Sequence, residues 1–260
     1  MPAFLIRRIV LALLFAASGA LAQAQQAPPA YVPEEFQEGK DVVWVPTPQI
    51  LVDRMLDMAR VTPEDVVMDL GSGDGRTVIT AAKRGARALG VEYNPDMVEL
   101  SRRNAEKEGV AGKASFVKAD LFETDFSQAT VITMFLLPSI NMSLRPKILG
   151  LKPGTRIVSN TFTMGDWKAD DTVLLTEAEG CKTSYCAALF WIVPAKVAGT
   201  HKLSQGELLL KQNFQMLTGS LRAEGKTLSL EGRVRGEDVT FKAGGIEYSG
   251  RMNGKMLELR

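Results

Sequence analysis

Asp69, Glu92 and Asp120 each close a short apolar run, and the first of them leads into a glycine-rich turn, Gly71-Ser72-Gly73-Asp74-Gly75. A strand ending in a carboxylate, then such a turn, then a helix, makes a nucleotide-type site at the carboxyl edge of a parallel sheet. The glycine spacing is G-x-G-x-G. A dinucleotide fingerprint needs glycine where this chain has Arg76, and a phosphate loop needs Gly-Lys-Ser/Thr before the helix, which is missing here. Asp69 and Asp74 make the turn acidic, so it repels a pyrophosphate and suits a ligand with positive charge. Glu92 stands where a carboxylate accepts from both hydroxyls of a ribose. Asp120 stands where one accepts from an adenine amino group, with Leu121 beside the ring. A cationic adenosine ligand without phosphate meets all these demands, and S-adenosylmethionine is one. Solvated loop-entry residues are the bland alternative for the three carboxylates; their order at the ends of three successive strands argues against it.

Other chemistries find little support. A single histidine, His201, and two cysteines, Cys181 and Cys186, leave too few soft ligands for a dedicated zinc site, and no metal is expected. Histidine-based triads are disfavoured for the same reason. The charge sum, 31 − 30 = +1, provides no field that would gather nucleic acid or a membrane surface.

The elements that must position these residues alternate strand and helix in units of about thirty residues from Asp41. Thr47-Pro48 reads as an N-cap and first helical position, with Leu51, Met55 and Met58 on one face of the helix that follows. The strands are expected at 66–70, 88–91, 114–119, 130–137 and 155–160, with helices after Gly75 and after the Asn94-Pro95 cap. Segments 173–176 and 187–193 read as a terminal antiparallel pair. Beyond Pro194 the pairs Leu228/Leu230, Val239/Phe241, Ile246/Tyr248 and Leu257/Leu259 have period two, which predicts an antiparallel meander with one buried face. The fold class is therefore α/β: a Rossmann-like seven-stranded sheet with a small C-terminal antiparallel β annex. At roughly sixty residues the annex should lean on the main domain.

The start of the chain is a different material. Arg7 and Arg8 precede an apolar run, Ile9 to Ala22, that is shorter than the roughly 20 residues a bilayer span needs. With small residues at two candidate cleavage sites, after Ala22 and after Ala24, it reads as a secretory signal peptide; an uncleaved membrane anchor is the alternative. The expected organisation is a signal peptide at 1–24, an extended N-terminus at 25–40, a catalytic domain at 41–194 and the annex at 195–260. The expected location is exported and periplasmic, with no membrane span in the mature chain. In an oxidising compartment Cys181 and Cys186, flanking a four-residue hairpin loop, either pair or stay free according to register.

From Val45 to Trp167 the chain resembles the class I S-adenosylmethionine-dependent methyltransferases. Val45-Pro46-Thr47-Pro48, Asp69-Leu70-Gly71-Ser72-Gly73-Asp74-Gly75-Arg76 and Gly90-Val91-Glu92-Tyr93-Asn94-Pro95 are more narrowly similar to the protein-lysine methyltransferases of the mitochondrial ATP-synthase-c-subunit type and their exported bacterial relatives. The resemblance implies S-adenosyl-L-methionine as cofactor. Thr47, Asp69, Gly71, Gly73, Asp74, Glu92, Asp120 and Leu121 would be its binding residues, the methionine end at Asp69 and the glycines. The acceptor side is expected at Phe135-Leu136-Leu137-Pro138. An Asp/Asn-Pro-Pro-aromatic signature for amino-nucleobases is absent there, so nucleic acid is not the expected partner. Phe135 and Trp167, with Phe162, are expected to line an apolar slot that desolvates an ammonium and lowers its pKa; core packing is the competing reading for Phe135. Arg145 and Lys147 are expected to cap or solvate a helix. The implied function is methyl transfer to a protein lysine or a small molecule, and the alternative is an exported binding module that keeps the fold without catalysis.

Overall fold

Side chains of the central strand are buried on both faces of the sheet, which explains how it acquires two helical layers. The computed structural model describes residues 31–204, 206–254 and 256–260; the signal-peptide assignment and the start of the extended N-terminus lie outside the described residues. Strand β1 (Val66–Leu70) sends Val67 to a core shared with helices α1 (Gln49–Met58), α2 (Arg76–Lys83) and α3 (Pro95–Lys107). Its Met68 and Leu70 face the other layer, built on α4 (Pro138–Ile148) and Phe126. Period-two side chains on a strand covered on both faces give this pattern.

With β2 (Arg87–Glu92), β3 (Ala114–Lys118), β4 (Val131–Met134), β5 (Arg156–Asn160), β6 (Asp171–Leu174) and β7 (Ala187–Ile192), the sheet order is β3-β2-β1-β4-β5-β7-β6. The first five strands run parallel, and β7 runs antiparallel between β5 and β6. Strand order reverses beside β1, which is where ligands bind in open α/β sheets. The fourth strand is shorter than expected: it ends at Met134, and Phe135–Leu137 leave the ladder for α4.

Two similar sequence caps have different fates. Asn94 caps α3 as expected, its side chain accepting from the N–H groups of Asp96 and Met97, with Pro95 first in the helix. Thr47 does not cap α1. Pro48 takes the cap position without a side-chain bond, and the Thr47 hydroxyl accepts instead from Asn160 Nδ2 at 3.3 Å.

The annex comprises β8 (Gly199–Leu203), β9 (Gly206–Asn213), β10 (Met216–Ala223), β11 (Lys226–Arg235), β12 (Asp238–Ala243), β13 (Ile246–Asn253) and β14 (Met256–Leu259), each antiparallel to the next. Glu224 and Gly225, both at positive φ (51° and 73°), make the tight β10–β11 hairpin whose twist matches the strands. Leu208, Leu210, Leu217, Leu221, Leu230, Val234, Val239 and Phe241 cover one face. Ile246 departs from the expected pattern, 58% exposed at a hairpin end. Among the described residues no helix is long and apolar enough to cross a membrane.

Candidate cofactor and acceptor site

A cleft of about 1040 Å³, open solvent included, lies at the carboxyl edge of β1, β2 and β4. Gly71, Gly73 and Gly75 turn its floor with φ of 79°, 53° and 83°. These values favour glycine. A β-carbon at Gly73 would also fall 2.5 Å from the Trp44 indole nitrogen. The turn is tied to β2, since the N–H groups of Gly71 and Ser72 both donate to the Val91 carbonyl, at 2.9 and 3.1 Å.

The carboxylates differ in how their charge is met. Asp69 is buried, and that burial, more than the neighbouring Glu92 and Asp74, pushes its carboxyl up to about 7 even though the Thr133 hydroxyl donates to it at 2.6 Å. Glu92 accepts from the N–H of Gly73 through Oε2 and from that of Asn94 through Oε1, each at 2.9 Å. It thereby aligns the glycine turn with the next loop and keeps free lone pairs on both oxygens. Asp74 does not leave the turn acidic. Arg76 forks onto it, with the shortest contact at 2.6 Å, and also donates to the Thr47 carbonyl at 3.0 Å. Asp120 accepts from Phe122 N–H at 2.9 Å and from Lys40 Nζ at 2.7 Å. Lys40 in turn holds the Asp120 carboxyl below the usual carboxylate range.

Thr47, Asp69, Gly71, Gly73, Asp74, Glu92, Asp120, Leu121 and Phe135 all line this one cleft. Trp167 does not. It is fully buried, stacked on Phe214 of the annex with ring centroids 6.0 Å apart, and its carbonyl accepts from Trp191 Nε1 at 2.9 Å. The loop reading missed a partner 47 residues further on, and Trp167 is a docking platform for the annex rather than an acceptor wall. Arg145, expected to cap or solvate, joins the same platform: it binds the Met164 carbonyl at 2.9 Å and Asp166, and lies 5.2 Å from the Phe214 ring centroid. Lys147 Nζ holds the carbonyls of Phe122, at 3.1 Å, and Thr124.

Sequence reasoning also missed the roof. Residues 31–40, expected as part of an extended N-terminus, continue into 41–46 as a strap: Phe36 N–H donates to the Trp44 carbonyl at 2.8 Å, and Trp44 N–H to the Gln37 carbonyl at 3.0 Å. Residues Gln37 to Pro46 line the cleft, with Lys40 near the rings of Tyr93 and Phe122, at 5.2 and 5.7 Å. The tryptophan in Val43-Trp44-Val45 was the available signal, an aromatic residue beside a turn.

The donor set fits S-adenosylmethionine. The cleft joins three carboxylates whose neighbours differ and glycine backbone that no side chain can obstruct.

Residues 69–171 match the family model of the ANTKMT methyltransferase domain. A curated protein-lysine N-methyltransferase of Saccharolobus islandicus is 46% identical over 147 residues, covering 55% of this chain and 91% of that protein. The lysine N-methyltransferase of the ATP synthase c-subunit from Rattus norvegicus is 38% identical over 125 residues, 45% of this chain and 58% of its own. Among solved structures, an RNA methyltransferase from Salinibacter ruber in complex with S-adenosyl-L-homocysteine is 48% identical with a TM-score of 0.54, covering 59% of this chain and 96% of that one. Fold and cleft together define an S-adenosylmethionine-dependent methyltransferase. Within that class, the chain belongs to the ANTKMT methyltransferase domain family. Its cofactor is S-adenosyl-L-methionine.

Proposed function

We propose that this methyltransferase transfers the methyl group to the side-chain amine of a protein lysine, in an exported, periplasmic setting. The observation carrying the lysine assignment is the apolar, aromatic-edged exit of the cofactor cleft at Phe135, an environment that strips water from an ammonium. The names of the curated lysine methyltransferase relatives agree with it. The Salinibacter relative is named for RNA, yet this chain has near-zero net charge and lacks an amino-nucleobase signature at the exit. The Cys181–Cys186 disulfide, Cα atoms 6.0 Å apart, supports export, because such bonds persist in oxidising compartments.

When bound, S-adenosylmethionine supplies an electrophilic methyl on a sulfonium. The residues of the chain bind, orient and desolvate. Asp69, with Thr133 fixing its carboxyl, meets the cationic methionine end. Glu92 accepts from the ribose hydroxyls through its free lone pairs. Asp120 and Leu121 receive the adenine. Thr47 and Arg76 hold the turn, with Asp74 neutralised. An amine with an ordinary pKa of about 10.4 must lose its proton before it attacks, and the aliphatic cleft lining at Met134, Leu136 and Ile140 favours the neutral form. Alignment of this kind can contribute about 7–11 kcal/mol.

Calorimetry with S-adenosylmethionine tests the cofactor residues: Glu92→Ala should weaken binding by about 1.5–3 kcal/mol, the loss of charged hydrogen bonds. Mass spectrometry of cell-envelope proteins incubated with cofactor and enzyme tests the acceptor. Methylation found on nucleic acid rather than on lysine would overturn the lysine assignment, and an intact N-terminus in the cytosolic fraction would overturn the export assignment.

A further inference from the structure

Three aromatic rings meet beside the cleft in a cluster that belongs to neither core. Phe135 lies 5.9 Å from Phe162 and 5.2 Å from Tyr185 between centroids, and Phe162 lies 6.0 Å from Tyr185. Each ring is half-buried, and none of the three packs into either hydrophobic core of the body. Phe122 and Phe214, also half-buried, do. Rings placed for packing alone join a core, whereas these three stay partly exposed, and Phe135, which touches both of the others, lines the cofactor cleft.

The cluster is held in place at some cost. Thr161, a β-branched residue, sits at φ 59°, in the left-handed region such residues avoid. Its N–H donates to the Ala187 carbonyl at 2.7 Å. The kink turns Phe162 out of β5, and the Phe162 carbonyl then accepts from Ser159 Oγ at 2.8 Å and Asn141 Nδ2 at 3.2 Å. Tyr185 is fixed from the other side. It lies inside the loop closed by the Cys181–Cys186 disulfide, its N–H donating to Thr183 Oγ1 at 2.9 Å, and β7 begins directly after the second cysteine. Tyr185 and both cysteines lie beyond residue 171, where the match to the family model ends.

We infer that Phe135, Phe162 and Tyr185 form the wall of a subsite for an alkylammonium side chain, and that the disulfide is the device that holds Tyr185 in it. This rests on the methyltransferase activity and deepens the lysine assignment. Aromatic faces attract a cation, most strongly one whose methyl groups have displaced its water. A lysine amine gaining methyl groups therefore becomes a better guest while it remains apolar enough to sit beside the cleft. Tyr185 is the contacting residue, and Cys181 and Cys186 act through it.

The test uses the full chain loaded with S-adenosylhomocysteine and two probes, choline and its uncharged isostere 3,3-dimethylbutanol, titrated by NMR. Wild type should bind choline at least about fivefold better than the isostere. Tyr185→Ala should lose that preference, Tyr185→Phe should keep it because the ring and not the hydroxyl carries it, and the Cys181→Ser/Cys186→Ser double variant should behave as Tyr185→Ala. S-adenosylhomocysteine affinity, measured in the same samples, should be equal in all four proteins. Equal binding of choline and isostere by wild type, or undiminished choline preference in Tyr185→Ala, overturns the subsite. Undiminished preference in the double variant overturns the role of the disulfide. Failure of wild type to bind S-adenosylhomocysteine would instead remove the methyltransferase basis itself.

Discussion

At Asp69 the cost of burial outweighs the hydrogen bond from Thr133, and the carboxyl titrates near 7 instead of near 3.8. A raised folded pKa on an acid means that the folded state binds more protons than the unfolded state between those values, so its contribution to stability falls as pH rises from about 4 to about 7. A cationic ligand reverses the preference, because it needs the ionised form. Affinity for S-adenosylmethionine should therefore rise with pH up to about 7 and then level, with proton release below that point, while Asp69→Asn binds weakly and without this slope. Calorimetry in buffers of differing ionisation enthalpy would reveal it, and a slope shared by both proteins would refute it. The position of Asp69 at a strand end was legible in the sequence, as were those of Glu92 and Asp120. Their partners in the fold were not. Arg76 on Asp74 and Lys40 on Asp120 are pairings made by the folded loop and strap, and strings of residue types do not encode which carboxylate keeps its charge.

Elements whose signals are local were readable, and those made by distant partners were not. Asn94-Pro95 capped α3 because nothing else claims the Asn94 side chain, whereas the hydroxyl of Thr47 is drawn off by Asn160, 113 residues away, and its carbonyl by Arg76. The strap over the cleft belongs to the second kind. Its composition reads as linker, and its order comes from Lys40 reaching Asp120 across 80 residues and from Trp44 lying on Gly73. A ligand entering the cleft must meet that indole. S-adenosylhomocysteine should therefore change the intrinsic tryptophan fluorescence, and Trp44→Phe should abolish the change, because Trp167 and Trp191 are fully buried away from the cleft. A signal surviving in Trp44→Phe would show that the strap does not report on the site.

At the scale of the whole molecule, the doubly covered sheet and the one-faced annex followed from periodicity, but the joint between them did not. The joint is Phe214 on Trp167, Gln215 Nε2 on the Lys168 carbonyl at 2.7 Å, and Arg233 on the buried carboxylate of Asp170. Removing a half-buried ring should cost about 2–3 kcal/mol. Phe214→Ala should thus lower the melting temperature and leave S-adenosylhomocysteine affinity intact; a loss of affinity would mean that the annex reaches the cleft. Its path makes that contact unnecessary. Strand β7 starts level with Asn160 at the site and ends level with Arg156 at the far edge, so the chain enters the annex from the edge opposite the chemistry. Among the described residues, none beyond Ile140 lines the cleft. The reversal of one strand thus gives the enzyme two independent ends. A protein gripped by the annex would not compete for the mouth of the cleft. It would have its lysines presented there at an effective concentration set by the span between grip and mouth, so that reach and not affinity would select the residue modified.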